Sequence, residues 1–228
     1  MLYLDSCIEG AQKVIADETV DLVIADPPYN LKFGGTNQTK NKKPRFHIFP
    51  NDNLPFPDYR RFCLAWLRQA YRILKPGSHV YIFIDWRTYP DMARWLKITG
   101  FTIKNCIVWD KKNMGIGWQY RYQHEFIIMA VKGTKNVRRI RTRSQTDVWQ
   151  IPRIPGNQTI HPTEKPIDMM KRIIENSSEE GEYVVDFFAG SGVVPDAAET
   201  LKRRWDAFEV EPGWYAVSME RLEVSGNT

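Results

Sequence analysis

Cysteine is scarce in this chain of 228 residues: Cys7, Cys63 and Cys106 lie far apart and form no Cys-x-x-Cys pair. That argues against a disulfide framework and against a cysteine zinc site, suits a reducing compartment, and leaves the thiols as packing residues. Long apolar runs are missing too. No stretch approaches the roughly 20 residues a membrane span needs, and Met1-Leu2-Tyr3-Leu4-Asp5 lacks the basic and apolar regions of a signal peptide. A cytoplasmic location with no membrane partner is therefore expected. His161 shows no ligand spacing with His47, His79 or His124, so no metal site is expected. There is no internal repeat, and no Gly-x-x-x-x-Gly-Lys-Ser/Thr loop for binding phosphates.

Acidic residues are absent from two stretches. Residues 31–51 carry Lys32, Lys40, Lys42, Lys43 and Arg45, and residues 133–146 carry Lys135, Arg138, Arg139, Arg141 and Arg143. These ten charges exceed the formal net charge of +5, so the rest of the chain is net acidic. Basic charge concentrated in two loops is the footprint of a polyanion partner, although solvated loops can also be charged. An apolar content of 43% supplies a sizeable core for one domain over 1–228.

Strand and helix patterns alternate, which predicts an α/β fold with a mostly parallel sheet covered on both faces. Strands are expected at 2–4, 20–25, 79–84, 102–109, 124–131, 182–187 and 206–210. Helices are expected at about 8–16, 58–74, 90–98, 167–176 and 194–203, and from about 213. Lys75-Pro76-Gly77 reads as the stop of the second helix. Residues 31–53 read as a mobile loop, and 133–163, with little periodicity, as an insertion rather than a second domain.

Asp26-Pro27-Pro28-Tyr29 follows the apolar strand 20–25. Two prolines fix φ near −65° and bring no N–H of their own, so the Pro27 carbonyl is free to accept from a ligand. Asp26 and that carbonyl can grip an amino group, and Tyr29 offers a face for a base. An ordinary strand-ending turn is the alternative. The second segment is Asp186-Phe187-Phe188-Ala189-Gly190-Ser191-Gly192, a strand running into a glycine turn that opens a helix, and it suits a nucleoside-containing cofactor with a carboxylate. Glu209 follows the next strand at close to the spacing of about 20 residues at which an acid grips ribose hydroxyls. Pro195 stands where a nicotinamide fingerprint needs a third small residue.

Together Asp26-Pro27-Pro28-Tyr29-Asn30, His161-Pro162-Thr163-Glu164-Lys165-Pro166, Asp186 to Gly192 and Glu209-Val210-Glu211-Pro212 resemble the DNA amino-methyltransferases that use S-adenosylmethionine. Asp147-Val148-Trp149 and Ile107-Val108-Trp109-Asp110-Lys111 also resemble family segments, so the likeness covers nearly the whole chain. The catalytic motif precedes the cofactor motif, as in the circularly permuted beta group. Phe187-Phe188-Ala189 and Val193-Val194 depart from the usual pattern, the latter losing two common hydroxyls.

The resemblance implies a Rossmann-like, circularly permuted methyltransferase sheet and transfer of a methyl group to the exocyclic N6 of a flipped-out adenine in double-stranded DNA. Asp at the first motif position is usual for adenine enzymes, whereas cytosine-N4 enzymes more often have Ser. Asp26, Pro27, Pro28 and Tyr29 would be catalytic. Cofactor contacts would come from Asp5, Asp26, His161, Thr163, Lys165, Asp186, Phe187, Phe188, Ala189, Gly190, Ser191, Gly192, Glu209 and Val210. Asp5 reads equally as a helix N-cap, and Lys165 as a turn residue. DNA contacts would come from Lys40, Lys42, Lys43, Arg45, Arg138, Arg139, Arg141 and Arg143, with 133–163 as target-recognition insertion. A homodimer and a cognate restriction endonuclease stand as candidate partners. A cytosine-N4 enzyme, an RNA methyltransferase and a non-catalytic nucleic-acid-binding module are the competing readings.

Overall fold

The computed structural model describes residues 1–32, 50–115, 117–142, 144–155, 159 and 164–225. In chain order the elements are β1 (Leu2–Leu4), α1 (Cys7–Val14), β2 (Val20–Ala25), α2 (Phe56–Ile73), β3 (Leu74–Ile84), α3 (Tyr89–Ile98), β4 (Phe101–Asp110), β5 (His124–Lys132), β6 (Val148–Gln150), α4 (Ile167–Ser177), β7 (Tyr183–Asp186), α5 (Val193–Thr200), β8 (Arg204–Glu209) and α6 (Pro212–Ser225). They build one eight-stranded sheet in the order β1-β8-β7-β2-β3-β5-β4-β6. Pairing is parallel except where β5 lies antiparallel between β3 and β4. This is the mostly parallel α/β sheet expected.

β2 is buried at every residue, as a central strand with both faces covered must be. Its side chains alternate between two cores. Val23 and Ala25 pack with Ala11, Trp66 and Trp95 from α1, α2 and α3, while Leu22 and Ile24 pack with Met169, Ile173 and Ala197 from α4 and α5. Helix α2 buries Tyr59, Cys63, Trp66, Leu67, Ala70 and Ile73, the stripe a 3.6-residue period places on one face. Among the described residues no helix is long and apolar enough to cross a membrane.

Two expectations need correction. The helix does end before Lys75-Pro76-Gly77, but the chain passes straight into β3: the register steps from Val20↔Leu74 to Leu22↔His79, so the intervening residues bulge from the ladder. Gly77 sits there at φ +81°, where a Cβ would lie 2.0 Å from the Asn136 carbonyl oxygen. Residues 133–163 also contain β6, a parallel partner of β4 that buries Trp149. Three residues are too few for periodicity to reveal a strand.

Candidate active site

β2 and β7 are neighbours whose onward connections leave in opposite directions, β2 towards β3 and β7 towards β8. A crevice at the carboxyl ends of strands follows from that reversal. A cavity of about 540 Å³ opens there, within the roughly 300–1,000 Å³ range of small-molecule sites. It is lined by both motifs, Asp26 to Tyr29 on one side and Asp186 to Ser191 on the other.

On the first side, Tyr29 donates its hydroxyl to Asp26 Oδ1 at 2.6 Å, and Lys165 Nζ donates to Asp26 Oδ2. The Pro28 carbonyl accepts from Tyr59 Oη at 2.8 Å, tying the turn to α2. Among the described residues the Pro27 carbonyl has no hydrogen-bond partner. Asn30 and Leu54 exchange two hydrogen bonds, and Asp52 accepts from the Leu31 and Lys32 amides, so the two flanks of 33–49 are clipped together.

Glu125, at the start of β5, was not singled out in the sequence, yet it completes this cluster. It lies 3.7 Å from Lys165 Nζ, accepts from Tyr29 Oη at 3.5 Å and pairs with Lys111. The usable signal was an acid heading the apolar strand 124–131. Burial raises the Asp26 carboxyl, with Glu125 adding to it, against the pull of Lys165 and the two hydrogen bonds. For Glu125 burial also pushes upward, but Lys165 and Lys111 outweigh it and the net is downward. Burial pulls Lys165 down while Asp26 and Glu125 more than restore it, so it stays an ammonium.

On the second side, Asp186 Oδ1 accepts from the Phe188 amide at 3.0 Å, and Gly190 N–H donates to Glu209 Oε2 at 2.9 Å. Ser218 Oγ on α6 donates to the Gly190 carbonyl at 2.7 Å. Gly192 adopts φ +76°, with a Cβ position 3.1 Å from Ser218, so the turn admits no ordinary side chain there. Asp186 is 3% exposed, and burial, with Asp26 and Glu209 nearby, pushes its carboxyl up to about 8. Burial raises Glu209 as well. Val193 and Val194, which replace the usual hydroxyls, are buried and line the cavity.

Asp5 also lines the cavity, bonded to Lys13 at 2.8 Å and to the Ser6 amide. It is not the N-cap of α1: Ser6 Oγ accepts from the Ile8 amide and takes that role. Phe187, Phe188, Ala189, Ser191 and Val210 line the same space. His161, Thr163, Lys40, Lys42, Lys43, Arg45 and Arg143 fall outside the described residues.

Arg138 has partners within the fold. Its guanidinium pairs with both carboxylate oxygens of Glu182 and donates to the Ser177 carbonyl at 2.7 Å. Its amide donates to Gly77 and its carbonyl accepts from His79, while the Arg141 amide donates to Asn176. Residues 138–141 thus lie at the amino ends of β3 and β7. From His79 to Ile84 is roughly 17 Å at about 3.3 Å per residue, so the cavity is at the far edge of the sheet. The Arg138 side chain is built into the fold away from the cavity mouth, whereas Arg139 and Arg141 are exposed at that same edge.

The family model for DNA methylases, covering N6 and N4 enzymes, matches residues 20–220. The chain belongs to that family. A type II methyltransferase of Haemophilus parainfluenzae, M.HpaI, is 30% identical over 241 residues, spanning 95% of this chain and 72% of the relative. Two solved structures share the fold of this DNA methylase. The M1.HpyAVI–SAM complex superposes with TM-score 0.72 at 21% identity, covering 97% of this chain and 98% of the other. The cytosine-N4-specific PvuII DNA methyltransferase superposes with TM-score 0.78 at 19% identity, covering 97% and 85%.

Proposed function

We propose that this DNA methylase transfers the methyl group of S-adenosylmethionine to the exocyclic N6 of an adenine turned out of double-stranded DNA. In this reading the whole chain is one domain with the circularly permuted order of the beta group. The observation that carries the reading is the shared cavity: Asp26 and Pro27, which hold an acceptor pair for an amino group, line the same space as the glycine turn and its two acids.

The donor set fits the cofactor. Asp186 and Glu209, both raised by burial, line the cavity and suit a ligand carrying ribose hydroxyls and positive charge. Bound there, the sulfonium supplies an electrophilic methyl. Glu209 would hold the ribose, and the Gly190–Gly192 turn lets the backbone approach the ligand.

The residues on the other side handle the amine. An exocyclic amino nitrogen is a poor nucleophile because its lone pair is delocalised into the ring. Donating its two N–H groups to Asp26 and the Pro27 carbonyl favours the tetrahedral nitrogen of the transition state. Tyr29 stacks on the base, which must leave the duplex to reach this depth. After transfer the excess proton on nitrogen passes to Asp26, whose raised carboxyl suits it as acceptor. Both Asp26 oxygens are already engaged, so an arriving base displaces one donor. Glu125 is the neighbouring acceptor for both Lys165 and Tyr29.

Asp26 at the first motif position supports adenine, and the cytosine-N4 specificity of the structurally similar PvuII enzyme supports cytosine as the second reading. Purified protein, methyl-labelled S-adenosylmethionine and unmethylated DNA decide it by mass spectrometry of the nucleosides. Label in N6-methyladenine is expected. Label in N4-methylcytosine overturns the base assignment, and no label in DNA overturns the function.

A further inference from the structure

We infer that the β4–β5 tip is a DNA-stacking element that holds the duplex over the cavity, an inference that rests on the DNA-methylating function proposed above. In the described tip Trp118 is 96% and Tyr120 93% exposed. Large aromatic side chains left that open on a protein with a well-filled core are surface waiting for a partner. Hydrogen bonds join the described residues around them. The Gly115 amide donates to the Tyr122 carbonyl at 2.6 Å, Arg121 Nε donates to the Gly115 carbonyl at 2.6 Å, and the Lys111 amide donates to the Gln123 carbonyl. Gly117 has its Cβ position 2.2 Å from the Tyr120 carbonyl oxygen, so this turn requires glycine.

Charge identifies the partner. Residues 111–123 carry Lys111, Lys112 and Arg121 and no acid; Lys111, Lys112 and Arg87, which lies over the Tyr122 ring at 5.7 Å, pair with Glu125, Asp110 and Asp85, while Arg121 has no ion pair among the described residues. Cations flanking outward-facing rings match a nucleic acid, whose phosphates meet the charge while its bases stack on the rings. Position agrees with this. β4 and β5 carry the tip at the carboxyl edge of the sheet, and Lys111, Gly115 and Tyr122 line the cavity that holds Asp26. The basic stretch around Arg138 is at the opposite edge. The tip is therefore placed where a duplex giving up a base to the cavity must lie, and Trp118 and Tyr120 can stack on bases beside the gap.

The test compares the wild type with the double variants Trp118→Ala, Tyr120→Ala and Trp118→Phe, Tyr120→Phe, using plasmid from a methylation-deficient host. The Ala pair is expected to raise the KM for DNA at least about tenfold, in line with the loss of base stacking. Melting temperature and S-adenosylmethionine affinity should stay at wild-type values, because the rings touch neither core nor cofactor walls. The Phe pair, which keeps the stacking faces, should recover the KM to within about threefold. An Ala pair whose KM and kcat stay within about twofold of wild type overturns the tip assignment and leaves the methylase function standing. Wild-type protein that sediments as a dimer dissolved by the Ala pair also overturns it, in favour of self-association. Wild-type protein that binds the cofactor but methylates no DNA overturns the functional reading, and this inference falls with it.

Discussion

Asp26 sits between two donors, Lys165 and Tyr29, with Glu125 behind both. Removing the acceptor by Asp26→Ala should lower kcat by about 10²–10³ or more, the usual cost of one transition-state hydrogen bond, while S-adenosylmethionine affinity stays within about tenfold. Single-turnover kinetics and calorimetry check the two halves. Glu125 raises the Asp26 carboxyl, so Glu125→Gln should move the acidic limb of the kcat–pH profile to lower pH. The same change should reduce kcat, because Lys165 then lacks its alternative carboxylate. A limb that stays in place would detach Glu125 from the reaction.

Asp186 makes a prediction of opposite sign to that for a salt-bridged acid. Burial holds its folded carboxyl at about 8, above the unfolded value near 4, so the folded state keeps a proton the unfolded state gives up between those values. Its contribution to stability is lost as pH rises through that window. Asp186→Asn should therefore raise the melting temperature relative to wild type by an increment that grows from pH 5 to pH 8 and then levels. A cationic ligand must also displace that proton, so wild-type S-adenosylmethionine affinity should improve as pH approaches 8. Affinity in Asp186→Asn should lose that dependence.

Among the elements, the segment after β5 behaves differently from its composition. Its Arg138 is a strut between the amino ends of β3 and β7, its guanidinium engaged by Glu182 and the Ser177 carbonyl. Arg138→Ala leaves Glu182 and the Ser177 carbonyl short of a partner and should cost about 1–3 kcal/mol in urea unfolding. Exposed Arg139→Ala should stay within about 0.5 kcal/mol. The dependence of log DNA affinity on log salt should be unchanged by Arg138→Ala.

Most elements were legible in the sequence. The strand 20–25 announces itself as a short apolar run, and the helix expected at about 58–74 by apolar positions at helical spacing. β6 did not, since three residues carry no period. A run of arginines likewise says nothing about which carboxylates the fold brings to meet it.

At the scale of the molecule, β1 lies beside β8 with Leu2↔Ala207 and Leu4↔Glu209 in register, so the first strand of the chain borders the strand carrying Glu209. Asp5, which follows β1, thereby shares a cavity with a glycine turn far along the chain. Deleting residues 1–5 should lower both the melting temperature and S-adenosylmethionine affinity, although the glycine motif stays intact. Thermal scans and calorimetry on the truncated chain check this, and unchanged cofactor affinity would remove the first strand from the site.

The sequence by itself determined what lies within a short reach of chain: the alternating elements, the Asp26 to Tyr29 turn with its free carbonyl, and the Asp186 to Gly192 turn with Glu209 after it. Dihedral restriction, glycine freedom and hydrophobic period act between near neighbours, so they can be read in order. Tertiary structure alone decided which distant charges meet. Lys165 reaches Asp26 across 139 positions and Tyr29 reaches Glu125 across 96, while Arg138 is taken by Glu182 across 44. Those pairings depend on the order of strands in the sheet, because a charge finds its partner through space, wherever the folded strands bring the two together.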